Sequence, residues 1–201
     1  MHSNNYYHLT LSGSGTKTLQ TGTTTISGNL TLSGAATTTT VVGLNINGNL
    51  VIGDDTTFTA AGFTLTVTGT TTVGGETSGI LTISSDTGTK TFTGLVTINA
   101  GGTWYNSGNS AITFRGGITN NDTFAAGTGV QTFDTNAQAL TGTFGTFSIP
   151  SMTVTGVTLT NNGTLTVTTA LAGTGELTNA GTGTLNINFA GAPGITTLTA
   201  T

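Results

Sequence analysis

The residues best suited to acid–base or metal chemistry are few: Asp54, Asp55, Glu76, Asp86, Asp122, Asp134 and Glu176, the histidines His2 and His8, and the cations Lys17, Lys90 and Arg115. Cleavage of a polysaccharide would need two carboxylates converging on one bond, or several binding calcium, commonly beside a cation. Only Asp54 and Asp55 are adjacent. On a strand, neighbours point to opposite faces, and a Gly-Asp-Asp cluster suits a turn better than a catalytic pair. The calcium-binding repeat rich in Gly and Asp is absent, and Gly173-Thr174-Gly175-Glu176 offers too few oxygen ligands in a row to replace it. The two histidines have no neighbouring acid or Cys and read as surface residues; with no Cys at all, disulfides and thiolate metal sites are excluded. No catalytic residue, cofactor or metal ligand is assigned, and the chain is read as a non-enzyme.

Two further patterns could bind rather than react. Trp104 and Tyr105, after Gly101-Gly102-Thr103, could stack on a surface glycan. Adjacent strand residues split between faces, however, so the pair reads better as a corner or core cap, and the remaining aromatics are mostly Phe, which suits a core. Rows of Thr, such as Thr23-Thr24-Thr25, Thr64 with Thr66 and Thr164 with Thr166, could order water as an ice-binding face. That needs strict register, and the repeat spacing drifts along the chain, so ice binding stands as the alternative.

The elements that must position these residues follow from composition. Charged residues are 5% of the chain, against roughly 25% in ordinary domains. Thr is the commonest residue, its branched Cβ favouring extended backbone, and 32 Gly interrupt any long helix. Disorder is opposed by apolar residues recurring in strand alternation and by a net charge of only −4. Three scattered cations cannot neutralise many phosphates, which excludes a nucleic-acid partner. No apolar run approaches the ~20 residues of a membrane-spanning helix. Met1 to Tyr7 lacks the features of a signal peptide, so the sequence reads as one cut from a longer chain.

Self-similarity decides the fold class. Gly28-Asn29-Leu30-Thr31-Leu32 returns as Gly48-Asn49-Leu50-Val51-Ile52 and then as Gly69-Thr70-Thr71-Thr72-Val73, while Gly163-Thr164-Leu165-Thr166-Val167 returns as Gly183-Thr184-Leu185-Asn186-Ile187. Thr93 to Ile98 and Ala111 to Gly116 read as looser copies. An antiparallel sandwich shares the alternation but gives no reason for the words to recur. A solenoid does, because each turn stacks on the last and like residues align about 4.8 Å apart. The expectation is all-β: a parallel β-solenoid (β-helix) with coils of about 20–23 residues, one repeat domain over residues 1–201. Gly28, Gly48, Gly69, Gly94, Gly116, Gly163 and Gly183 are read as corner glycines, and Gly, Asn and Asp clusters such as Gly53-Asp54-Asp55 and Asn161-Asn162-Gly163 are expected to supply the positive φ of tight corners.

The words themselves resemble repeats of very large bacterial surface and autotransporter-like proteins. The resemblance lies in Tyr7-His8-Leu9-Thr10-Leu11-Ser12-Gly13-Ser14-Gly15-Thr16-Lys17-Thr18-Leu19, in Ala111 to Asn121, and in Gln131-Thr132-Phe133 through Ala139-Leu140-Thr141-Gly142. It implies a β-solenoid stalk, adhesin or extracellular fibre at the bacterial surface. Both ends read as strand without a charged or helical cap, so Leu9 and Leu11 are expected to meet Ile195 and Leu198 of another copy, head to tail, in a homo-oligomer or filament.

Overall fold

The computed structural model describes residues 5–200. They form 26 short strands and no helix, and every strand pairing is parallel. The chain winds as a three-faced solenoid, laying down one strand per face in each coil.

The first face stacks Leu9–Leu11, Leu30–Leu32, Leu50–Ile52, Thr71–Val73, Val96–Ile98, Ile118–Asn120, Gln138–Thr141 and Thr158–Asn161, and then the later parts of Ala170–Asn179 and Gly194–Ala200. The second is a separate nine-stranded sheet: Ser14–Thr16, Ala35–Thr39, Thr57–Ala60, Ile80–Ile83, Thr103–Tyr105, Thr123–Ala125, Thr146–Ser148, Thr164–Val167 and Thr184–Ile187. The third stacks Thr25–Ile26, Leu44–Ile46, Leu65–Val67, Lys90–Phe92, Ile112–Phe114, Gln131–Asp134 and Ser151–Thr155, then the opening residues of the two long strands. Those long strands turn the corner without a break, which joins the first and third faces into one sheet; the turn in Ala170–Asn179 is a register shift between Gly173 and Glu176.

Alternation sets what is inside. In Leu30–Leu32, Leu50–Ile52 and Leu65–Val67 the outer two residues are buried and the middle one is half-buried. The inward Leu, Ile, Val and Phe of all three faces merge into one apolar column, and burying each such side chain contributes roughly 1.5–3 kcal/mol. Mid-rod the column becomes aromatic. Phe92, Phe114 and Phe133 of the third face lie in a row with ring centroids 6.0 and 5.5 Å apart. Trp104 and Phe124 of the second face pack against Phe92 and Phe114 at 5.0 to 6.5 Å, and Phe147 packs on Phe124 at 5.6 Å.

Paired residues on successive coils stand 18 apart at Leu159 and Leu177 and 25 apart at Thr71 and Val96, a wider range than the sequence words imply. The drift does not reach the faces. In the longest coil the extra residues lie in the corners between Val73 and Ile80 and between Ile83 and Lys90, while the strands on either side stay in register. The words also prove to belong to different faces. Gly28, Gly48 and Gly69 open strands of the first face, Gly163 and Gly183 strands of the second, and Ile112–Phe114 pairs with Lys90–Phe92 on the third.

Candidate functional site

Gly28, Gly48, Gly69, Gly94, Gly116, Gly163 and Gly183 all stand where a bend leads into the next face. Positive φ is not the reason for them: that conformation belongs to other glycines, such as Gly34, Gly74 and Gly101, and to Asp55, Asn109 and Thr135. The reason is close approach. Gly48 N–H donates to Gly28 O at 2.9 Å and Gly69 N–H to Gly48 O at 3.0 Å. A Cβ on Gly48 would lie 2.5 Å from the Gly28 carbonyl carbon, and one on Gly69 2.6 Å from that of Gly48; Gly94 and Gly116 press on Gly69 and Gly94 in the same way. Beside this glycine column runs a side-chain ladder that the sequence reading did not single out. His8 Nδ1 accepts from Asn29 N–H, Asn29 Oδ1 from Asn49 N–H, and Asn49 Oδ1 from Thr70 N–H, each at 2.9 Å. The recurring Gly-Asn dipeptide was its signal.

The ionisable residues are dispersed, and among the described residues no three of His, Asp and Glu form a group that could hold a metal. His2 lies outside the described residues. His8 is exposed and spends its Nδ1 on the ladder. Asp54 does not converge with another acid. It caps the corner of the following coil, Oδ1 accepting the backbone N–H groups of Gly75, Glu76, Thr77 and Ser78 at 2.8 to 3.2 Å. Those donors, Ser78 foremost, hold its carboxyl well below the usual range, at about 2. Asp55, at positive φ, bonds Ser78 Oγ at 2.9 Å. Arg115 Nε pairs with Asp134 Oδ1 at 2.8 Å, and Glu176 accepts the hydroxyls of Thr158 and Thr199. Asp122 binds Gly101 N–H at 2.8 Å. In each case the carboxylate joins one coil to the next.

Lys90 was not expected inside. Its strand alternation faces it inward between Leu65 and Ile112, and it is buried. Its Nζ donates to Thr87 O and Gly88 O, each at 2.8 Å, and burial lowers its pKa. Other inward polar residues close their hydrogen bonds similarly: Gln138 Nε2 donates to Phe114 O and Asp134 O, and Asn106 Nδ2 to Ser110 O and Ala126 O.

Trp104 and Tyr105 part company. Trp104 is 0% exposed within the aromatic column, whereas Tyr105 is 50% exposed on the second face. A paired platform is thus absent, and Tyr105 stands as a single exposed ring.

The threonines line up outward. On the third face Thr66, Thr91, Thr113, Thr132 and Thr153 pair in unbroken register. The first face carries Thr10, Thr31, Val51, Thr72, Thr97, Thr119 and Thr141. On the second, Thr37-x-Thr39 and Thr57-x-Thr59 stack and then meet Ile80 and Tyr105.

At the ends, Leu9 and Leu11 are half-buried where their partners Leu30 and Leu32 are fully buried. Ile195 is half-buried and Leu198 is 45% exposed. Leu198 lines a hollow of about 450 Å³ with Asn179, Leu185, Ile187 and Thr199. No helix among the described residues is long and apolar enough to cross a membrane. Comparisons with protein-family models, with curated proteins and with solved structures find no match to this chain.

Proposed function

We propose that this chain is a rigid extracellular spacer, a length of solenoid whose role is mechanical and whose coils stack head to tail onto further copies to build a filament or surface stalk. The observation that carries this reading is the continuous parallel pairing of the first face from Leu9 to Leu198 despite variable coil length. The nine strands of the second face correspond to a rod roughly 40 Å long at the inter-strand spacing. Low charge leaves little electrostatic repulsion between copies. The resemblance to repeats of large bacterial surface proteins supports the extracellular setting.

The joint follows from backbone polarity. Leu30, Leu50 and Thr71 each donate their N–H to the coil that follows, at Asn49 O, Thr70 O and Leu95 O. Leu198 pairs with Leu177 in this same face, and Glu176 N–H points back to Val157 O, so alternation turns the Leu198 N–H toward the open end. Electron microscopy of the purified chain at rising concentration tests the reading. Long unbranched fibres with a ~4.8 Å axial repeat are expected, and Leu198→Pro, which removes that donor, is expected to stop their growth. Fibres unaffected by the substitution would place the joint elsewhere, and dispersed single rods at every concentration would refute self-assembly.

A further inference from the structure

We propose that the third face, across the coils from Leu65–Val67 to Ser151–Thr155, is an ice-binding surface, with Thr66, Thr91, Thr113, Thr132 and Thr153 as its central contact row. The proposal does not depend on the spacer reading, since a monomeric rod would bind as well as a filament.

The case against ice in the sequence was the drifting repeat. The structure removes it, because the drift is confined to corners: Thr66 pairs with Thr91, Thr91 with Thr113, Thr113 with Thr132 and Thr132 with Thr153. Like atoms of this row therefore repeat at about 4.8 Å along the rod. A second row lies two residues N-terminal in each strand, about 6.7 Å away. Thr64 and Thr89 open it, with their hydroxyls 3.5 Å apart, and Ala111, Val130 and Ser151 continue it. The result is a two-dimensional array of hydroxyls and methyls with periods of a few ångströms in both directions, which a crystal of water can match and liquid water does not require.

A second, independent observation separates this face from the other two. The threonines of the central row are half-exposed, and their hydroxyls make no hydrogen bond with any described residue of the protein. The first-face row is less uniform: Val51 interrupts it, and Thr119 and Thr141 bond each other at 2.9 Å; on the second face Thr123 bonds Asp122 and Thr146 bonds Phe144 O. The second face is also interrupted by Ile80, 39% exposed, and by Tyr105. No charged residue stands in the central row itself, although Asp86 lines a hollow of about 410 Å³ beside it with Thr64, Thr89, Thr113 and Thr132. Arg115 and Asp134 neutralise each other at its margin, and the ammonium of Lys90 is turned to Thr87 O and Gly88 O. A neutral lattice of hydrogen-bonding oxygens fits such a surface, and the backbone pairing fixes the donors before contact, so little ordering entropy is lost on binding. A glycan would favour protruding rings, which this row lacks.

The test is slow growth of polycrystalline ice from a solution of the whole chain, measuring the protein carried into the ice, with freezing hysteresis as a second readout. Thr91→Tyr and Thr113→Tyr place bulk on the third face; Thr72→Tyr places it on the first. Thr91→Lys and Thr113→Lys serve if tyrosine lowers the melting temperature. Inclusion of the wild type and of Thr72→Tyr, with exclusion of the third-face variants, is the expected result. Exclusion of the wild type from ice overturns the proposal, as does inclusion of the third-face variants at the wild-type level. Adsorption to crystalline cellulose or chitin with exclusion from ice overturns it also, and assigns the face to polysaccharide.

Discussion

Asp54 Oδ1 accepts the backbone N–H of Gly75 at 2.8 Å across 21 residues of chain, and the three following amides converge on the same carboxylate. The corner Gly74 to Gly79 is the first of the two that lengthen their coil, so one acid fastens a lengthened corner of the rod. Its folded pKa is about 2, below the ordinary 3.8. The contribution is therefore complete above the ordinary value and lost as pH falls through about 2. Amide exchange at 75–78 is expected to accelerate over that acid window, and Asp54→Asn to accelerate it at neutral pH while Asp86→Asn does not. Unchanged exchange in Asp54→Asn would show that the corner holds itself.

Gly48 and Gly43 stand five residues apart and should respond oppositely to alanine. A Cβ at Gly48 meets the Gly28 backbone at 2.5 Å, while one at Gly43 finds nothing closer than 3.8 Å. Gly48→Ala is expected to cost about 1–3 kcal/mol, and Gly43→Ala to be neutral or to stabilise by about 0.4–1 kcal/mol through the unfolded chain. Denaturant unfolding of both variants gives the answer; equal stabilities would mean that the glycine column has room to spread.

Trp104 and Tyr105 supply a contrast between inside and outside. Trp104→Ala should cost about 3–5 kcal/mol, since it opens a cavity in the aromatic column, whereas Tyr105→Ala should stay within about 0.5 kcal/mol. Trp104 Nε1 has no hydrogen-bond partner among the described residues, so Trp104→Phe, which removes an unsatisfied donor, should cost less than its volume suggests. Calorimetric melting of the three variants is the check.

The fold was legible because the sequence repeats what the backbone repeats: Leu30 pairs with Leu50, and Leu165 with Leu185, as their words align. Face assignment was not legible, because Thr-apolar alternation is the same on all three faces, and only pairing shows that Ile112–Phe114 follows Lys90–Phe92. Of the clusters expected to supply positive φ, Gly53-Asp54-Asp55 does so at Asp55 and Asn161-Asn162-Gly163 does not, since a sequence cannot distinguish a glycine needed for φ from one needed for contact with a neighbouring coil. Lys90 was read only as a charge. Its neighbours Thr91 and Phe92 place it on the inward alternation, but a cation in that slot contradicts the usual cost of burial.

That cost leads to a pH effect in the same direction as that of Asp54, with stability rising as pH rises, but just below the ordinary lysine pKa rather than in acid. Burial lowers the Lys90 pKa below 10.5, so folding releases a proton between the lowered value and the ordinary one. Stability contributed by this site should rise with pH across that interval. Lys90→Met is expected to raise the melting temperature at neutral pH and to flatten its alkaline rise. A variant less stable than the wild type at neutral pH would show that the bonds to Thr87 O and Gly88 O outweigh desolvation.

Winding some 21 residues of chain, as between Leu9 and Leu30, into a single step of about 4.8 Å makes each coil a store of contour length. Drawn out, such a coil spans on the order of 70 Å, more than tenfold its height in the rod. A tether built this way is stiff while its coils stay paired. Under a load that peels one end, it would lengthen in discrete, large increments, dissipating work coil by coil before any covalent link is strained.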